Sequence, residues 1–294
     1  MKRPQSLDQY FGQSRVKPML ALELKTGFVR PVIIFGQSGV GKTALANALA
    51  CELGGQFHEF VAQESWTESF ITDMLMSLSI NGYDDHGRPG KNADTHVVFI
   101  DEAQAMGRCQ TALFRPIEDG HVYDATGQPN WLPRIVYILA TTNPEKIASA
   151  LMNRMKLQLH LTPYTDIEIE QIVNFNFPDM SMSLVKDVAR RSKGVPRLAL
   201  SYAESVQLYE GDAETFFGLR GIDERGLDER DREYLAILSE ANRPLSLNSI
   251  AAALRESPAI VRMMESHLLF MGLVTVSPSG RQISAPTSRG KRAA

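Results

Sequence analysis

Gly36-Gln-Ser-Gly39-Val40-Gly41-Lys42-Thr43 has the spacing of a phosphate-binding loop, G-x-x-x-x-G-K-[ST]. Its small residues let successive backbone N–H groups wrap phosphates, and the helix that follows adds a favourable dipole at its N-terminus. Lys42 is set to reach β- and γ-phosphates, and Thr43 to offer a hydroxyl to Mg²⁺. Asp101-Glu102 end a second apolar run, where one carboxylate can hold hydrated Mg²⁺ and its neighbour can polarise an attacking water. Ala140-Thr-Thr142-Asn143 ends a third run. Either Thr142 or Asn143 can help position that water, and the residues alone do not choose between them. Arg154 lies about one helix further on, with the planar, permanently charged fork suited to a γ-phosphate. Supplied from a neighbouring subunit it acts as an arginine finger. Arg197, in Lys193-Gly-Val-Pro196-Arg197, opens a helix from which it can reach bound nucleotide. Together these residues point to nucleoside triphosphate hydrolysis.

Hydrolysis at such residues needs a scaffold that brings strand ends together. Val32–Phe35, Val97–Ile100 and Val136–Leu139 are continuous apolar strands, and a helix from Lys42 to about Leu53 follows the glycines. Alternation of such strands with helices predicts an α/β fold with a parallel sheet covered on both faces. From Asp166 the pattern is helical. Asp166 is expected to cap one helix and Ser183 to start another that closes at Gly194, with Pro196 in the first turn of a third. The polar Glu210–Gly226 stretch reads as a linker. Asp228–Ala241, Leu247–Arg255 and Pro258–Met271 are helical, the last capped by Ser257 and stopped by Gly272. Leu273–Val276, a Pro278-Ser-Gly280 turn and Gln282-Ile283 then form a hairpin signal. Three helices and a hairpin is the winged-helix order.

The chain has 294 residues, 44% hydrophobic and 22% charged, which fits an ordinary globular protein and excludes disordered, collagenous and disulfide-rich classes. Cys51 and Cys109 have no CxxC partner and read as packing thiols. No run approaches the roughly 20 apolar residues of a membrane helix, and the first ten residues lack the apolar core of a signal peptide, so a cytoplasmic location without membrane contact is expected. The net charge of −3 excludes a uniformly basic coat for nucleic acid. It hides an asymmetry: after Ser279 there are four basic residues and no acidic ones, while the preceding body carries 27 basic against 34 acidic.

The motifs occur in an order that resembles the RuvB family, hexameric AAA+ motors of Holliday-junction branch migration. The likeness runs from Arg3-Pro4 and Leu7-Asp-Gln-Tyr10-Phe-Gly-Gln13 through the phosphate loop, Phe99-Ile-Asp-Glu102 and Ile117-Glu-Asp119. It continues through Ala140-Thr-Thr142, Arg154, Tyr164, Gly194-Val-Pro-Arg197, Gly226-Leu-Asp-Glu229 and Pro278-Ser-Gly-Arg281. The resemblance implies a P-loop AAA+ core over 1–164, a helical lid over 165–211, a linker over 212–226, a winged helix over 227–285 and a basic tail over 286–294. It implies ATP and Mg²⁺ as cofactors, with Arg3, Pro4 and Tyr10 near the base and Gly36, Gly39, Val40, Gly41, Lys42, Thr43 and Ala44 around the phosphates. Thr43 and Asp101 would hold the metal. Tyr164, Pro196 and Arg197 would close the site from the lid, Arg154 would be the finger in trans, and Arg281 on the wing would contact the DNA backbone. A hexameric ring on duplex or branched DNA follows.

The sequence also departs from the family. Gln37 and Ser38 replace two prolines, which leaves the phosphate cradle intact. Segment 120–134 is shorter than the hairpin with which the family docks its partner RuvA, so a protein partner is expected but RuvA-type docking is doubtful. Segment 80–95 is an insertion, and Val276 and Ser279 stand where the wing carries arginines. Two readings besides the motor remain. One is a nucleotide-gated loader or adaptor that recruits a partner without processive movement. The other is a protein-remodelling ring gripping through Trp66, against which the winged helix argues; an ordinary, partly exposed loop position explains Trp66 better.

Overall fold

The three apolar runs form the centre of one parallel sheet. In the computed structural model, which describes residues 2–26, 29–78, 94–124 and 126–284, the chain divides into two units, Met1–Thr162 and Pro163–Ala294. Tyr164, read from the sequence as the end of the core, therefore belongs to the second unit; its N–H donates to Gly194 O at 2.8 Å there. Most of insertion 80–95 and all of the basic tail over 286–294 lie outside the described residues.

The first unit contains α1 (Val16–Lys25), β1 (Val32–Phe35), α2 (Lys42–Glu52), β2 (Gln56–Val61), α3 (Glu68–Met76) and β3 (Thr95–Asp101). A 3₁₀ segment (Ala103–Leu113), α4 (Phe114–Asp119), β4 (His121–Tyr123), β5 (Pro129–Trp131), β6 (Arg134–Thr141), α5 (Ser149–Arg154) and β7 (Leu157–His160) follow. The main sheet has the order β2-β3-β6-β1-β7, all parallel. Ile33, Phe35, Val98, Ile100, Tyr137 and Leu139 pack on one face with Ile71 and Leu75 of α3 and Leu151 of α5. Their neighbours Val32, Ile34, Val97, Phe99, Ile138 and Ala140 are equally buried, which is why the central strands carry no polar alternation. The edge strands do. β7 alternates buried and exposed residues and β2 has no fully buried residue, and both lie outside the apolar pattern that marks the centre. Segment 120–134 still folds as a hairpin, β4 pairing antiparallel with β5. Trp66 packs partly buried against the core and against the Phe70 ring at 5.0 Å, and its carbonyl accepts from Cys109 Sγ at 2.9 Å. Cys51, by contrast, is exposed rather than packed.

In the second unit, α6 (Asp166–Asn176), α7 (Met182–Arg191) and α8 (Pro196–Leu208) form a helical subdomain. The N-caps differ from the sequence reading by one or two residues. Thr165 caps α6 in a reciprocal capping box with Glu168, and Ser181 caps α7. Segment 212–226 is not merely a linker: it holds α9 (Ala213–Leu219), capped by Asp212, with Phe216 and Phe217 buried against Tyr202. Seven residues are too few for a periodic signal, and the flanking glycines and aspartates hide the aromatic anchor.

The remaining elements are α10 (Glu229–Ala241), α11 (Leu247–Leu254), α12 (Pro258–Phe270), β8 (Val274–Ser277) and β9 (Gly280–Ile283). Tyr234, Leu238, Ile250, Val261, Leu268 and Val274 make their core. Leu245 pairs with Arg281 across two backbone hydrogen bonds of 2.9 and 2.8 Å, adding a short third strand to the wing. A buried ionic cluster joins this domain to the helical subdomain. Lys193 Nζ donates to Asp231 Oδ2 at 2.6 Å and to Asp228 Oδ2 at 2.9 Å, and His267 Nε2 lies 3.0 Å from Asp231 Oδ1. Burial opposes the charge on Asp231, but His267 and Lys193 overcome it and hold its pKa down to about 2.

Gly226 sits at that joint with φ 79°, and a Cβ there would stand 2.8 Å from the backbone oxygen of Arg191. Both the dihedral and the contact are backbone features that cannot relax by rotating a side chain. Gly226→Ala is expected to destabilise the second unit by about 2 kcal/mol or more, read as a lower Tm in a thermal melt. Gly218→Ala, which meets nothing within 4 Å on a negative φ, is the control expected to melt as the wild type.

Candidate active site

The parallel order puts Gly36, Asp101 and Thr141 at the carboxyl ends of adjacent strands, the edge where ligands bind in open α/β sheets. β1 pairs with β6 so that Phe35 stands beside Thr141, while Ile100 stands beside Leu139. The phosphate loop, the acidic pair and the polar end of β6 therefore converge. Gly39 and Gly41 take φ values of 82° and 94°, open to glycine and strained for other residues. A Cβ on Gly36 would stand 2.9 Å from Val40 Cγ2 and 3.1 Å from Leu161 O, so the loop requires glycine there on space alone. Val40 is fully buried and anchors the loop to the core.

Lys42 is 6% exposed despite its charge, and its Nζ donates to Gly36 O at 3.0 Å and Gln37 O at 3.1 Å. The ammonium thus lies across the mouth of the loop that its own chain forms. Thr43 and Ala44 occupy the first turn of α2. The N-terminal segment is fastened to the same helix. Asn47 Nδ2 donates to Pro4 O at 2.9 Å, Glu52 Oε1 accepts from Leu7 N at 2.9 Å, and the buried Tyr10 hydroxyl donates to Gly41 O at 3.4 Å. Arg3 pairs with Glu59 at 2.8 Å. Pro4 is thus fastened to the phosphate-loop helix and Tyr10 to Gly41 before it, while Arg3 pairs with β2.

Asp101 ends β3 and Glu102 follows with φ 51°, a left-handed conformation unusual for a glutamate. Glu102 N donates to Asp101 Oδ1 at 2.9 Å, fixing the turn. Of the two candidates after β6, Thr142 is the one that faces this carboxylate: its Oγ1 lies 3.4 Å from Glu102 Oε2. The backbone N–H of Asn143 donates to Thr141 Oγ1 at 3.0 Å. Gln104 joins both sides, donating to Glu102 Oε2 and to Thr142 Oγ1 and accepting from the buried Thr141 hydroxyl. Sequence reading missed Gln104, which belongs to no motif, and gave Thr141 no role within Ala140-Thr-Thr142, because their contact joins residues 37 apart.

Arg154 ends α5. Its Nη2 meets Glu118 Oε2 at 2.9 Å, its Nη1 donates to Ala150 O at 2.8 Å, and the guanidinium lies 4.3 Å from the centroid of Phe114. Glu118 belongs to the Ile117-Glu-Asp119 stretch singled out in the sequence, but its pairing with Arg154 was not legible there. Pro196 and Arg197 open α8 of the second unit, Pro196 buried and Arg197 exposed, with Tyr164 buried nearby through its bond to Gly194.

Arg281 is paired within its own domain. Its Nε and Nη2 grip Glu265 Oε2 and Oε1 at 3.0 and 3.1 Å, and Tyr234 OH donates to the same carboxylate at 3.0 Å. Glu265 is 4% exposed and the Arg281 side chain 18%. A buried carboxylate needs such a partner, and leaving it unpaired would cost about 3–5 kcal/mol. Arg281 thus neutralises a buried carboxylate of the domain core, a partner the sequence reading did not foresee. The neighbouring wing residue Val276 is exposed and apolar.

Two family models match. Residues 32–163 match the AAA model, described as the ATPase family associated with various cellular activities, and residues 224–289 match the RuvB C-terminal winged helix domain. Among curated proteins, the chain is 28% identical to the Holliday junction branch migration complex subunit RuvB of Campylobacter hominis, over 96% of this chain and 88% of that one. It is 28% identical to the protein of the same name from Prochlorococcus marinus strain AS9601, over 97% and 86%. The solved structure of the Thermotoga maritima RuvB Holliday junction branch migration motor superposes with a TM-score of 0.76 at 26% identity, covering 96% of this chain and 95% of that one.

Proposed function

We propose that this chain, which belongs to the RuvB family of AAA ATPases, is a DNA motor that hydrolyses ATP in a hexameric ring to move duplex or branched DNA in recombination and repair. One observation carries the reading. An AAA module and a RuvB-type winged helix occur in one chain, and the likeness to Holliday-junction branch-migration subunits spans 96% of it. That continuity favours a motor over a loader or adaptor that merely gates a partner. The site of action in this reading is DNA in the cytoplasm; among the described residues no helix is long and apolar enough to cross a membrane.

The chemistry proposed for each residue rests on its type and on the resemblance to the family. Gly36, Gly39, Val40, Gly41 and Ala44 shape the cradle whose N–H groups take the phosphates, and Lys42 neutralises the β- and γ-oxygens. Thr43 in the first turn of α2 and Asp101 at the end of β3 are hard oxygen donors and fit Mg²⁺, which when bound spreads the charge of the transferring phosphoryl group. Glu102 polarises the attacking water, with Thr142 beside it. Arg3, Pro4 and Tyr10 serve the base end, Tyr164, Pro196 and Arg197 serve from the lid, and Arg154 serves the neighbouring subunit's nucleotide. With Arg281 engaged internally, DNA contact falls to α12, where Arg262 is exposed. The hairpin of three-residue strands suits a partner other than one of RuvA type.

The test is ATPase rate with no DNA and with single-stranded, duplex and four-way-junction DNA, alongside displacement of a labelled strand from the junction. Hydrolysis raised several-fold by duplex or junction, with displacement, is the expected result. Hydrolysis indifferent to every DNA and raised only by a protein partner would return the loader to first place. Because phosphate contacts dominate such binding, and the body before Ser279 is acidic, the DNA response is expected to vanish early as salt is raised.

A further inference from the structure

We propose that Gln104 is a positioning residue for hydrolysis: its carboxamide clamps one oxygen of Glu102 to the end of β6 and leaves the other oxygen for the attacking water. The inference rests on Glu102 as the water-polarising group. Glu102 sits on a turn held by its own left-handed backbone and by the bond from its N–H to Asp101 Oδ1, which fixes the Cα but not the carboxylate. The carboxylate has free torsions, and a glutamate that must aim a lone pair at a water loses rate if it wanders. Gln104 removes that freedom. Its Nε2 donates to Glu102 Oε2 and reaches Thr142 Oγ1 at 3.3 Å. Its Oε1 accepts from Thr141 Oγ1 at 2.5 Å.

Thr141 is fully buried as the last residue of β6, so the clamp is anchored in the sheet and not in a loop. Thr142 Oγ1 is also near Glu102 Oε2, at 3.4 Å. The same oxygen of Glu102 is therefore engaged from two directions, and none of the described residues engages Oε1. A side chain of this kind needs both an acceptor and a donor on one planar group, at a length that bridges two strand ends. Glutamine supplies that, and an apolar residue of equal length does not.

The test compares wild type, Gln104→Met, Gln104→Glu and Glu102→Gln, and the double variant Glu102→Gln/Gln104→Met. Gln104→Met keeps length and bulk but lacks both hydrogen-bonding ends. Its kcat is expected to fall about tenfold or more, with KM for ATP and binding of a fluorescent ATP analogue unchanged. Gln104→Glu should fall further, since a second carboxylate repels Glu102 from the clamp. In the double variant, Gln104→Met should cost nothing beyond Glu102→Gln, because a residue acting through Glu102 has nothing left to position. Wild-type kcat in Gln104→Met overturns the inference. So does a loss that appears in KM or ATP-analogue binding, or one that adds in full to Glu102→Gln, since those mark a general structural role. Failure of the underlying reading is separate: it shows as wild-type turnover in Glu102→Gln itself.

Discussion

Glu102→Gln is expected to bind ATP as tightly as the wild type and to turn it over at least about a hundredfold more slowly, the range that a positioned general base supplies. The substitution is nearly isosteric, so the left-handed turn and the bond from residue 102 N–H to Asp101 Oδ1 are retained. One oxygen remains to accept from Gln104 and Thr142. What is lost is the charge and the lone pair that would draw a proton from water, worth about 2.7 kcal/mol of barrier for a hundredfold change. Phosphate contacts lie on other elements, at the loop after β1 and the first turn of α2, which is why binding should survive. Equilibrium binding of labelled ATP beside single-turnover hydrolysis separates the two. Wild-type hydrolysis in this variant would remove Glu102 from the mechanism and leave the polar end of β6 as the place to look for the water's partner.

The parts of this site that sequence reading found are local, and those it missed are not. The phosphate loop is eight consecutive residues whose glycines answer a backbone requirement, and two of them do take left-handed dihedrals. The central strands were legible because burial on both faces demands unbroken apolar runs. β2 and β7 escaped because an edge strand has one neighbour and can carry polar residues on its open side. The clamp by Gln104 and the grip of Glu118 on Arg154 join residues 36 to 38 positions apart, and nothing in either segment announces its partner. Arg281 is instructive. An arginine on a wing reads as a phosphate contact, but Glu265, sixteen residues earlier on α12, is an acid on an otherwise buried helix face. The pairing of a buried acid with a partly exposed arginine joins two elements, and neither segment shows it alone.

The second large effect concerns Arg154. Arg154→Ala is expected to leave nucleotide binding in place and to lower ring turnover by about 10³-fold, the lower end of what an arginine finger contributes. This side chain is held by Ala150 O at 2.8 Å, Glu118 at 2.9 Å and the Phe114 ring, with 23% of it exposed. A finger already ordered within its own subunit loses little conformational entropy when it meets a neighbour's γ-phosphate. None of those contacts involves the phosphate loop of the same chain, as expected for a group that acts on another. The decisive measurement mixes Arg154→Ala subunits with Glu102→Gln subunits in equal amounts, after size-exclusion shows that they assemble together. Each ring alone is inactive. In a random mixture, about one site in four pairs an intact Glu102 with an intact Arg154 from the next subunit, so activity near a quarter of wild type should return if sites fire independently. A mixed ring as inactive as its parents would place Arg154 in cis or outside the chemistry, and the ion pair with Glu118 would then be its whole function.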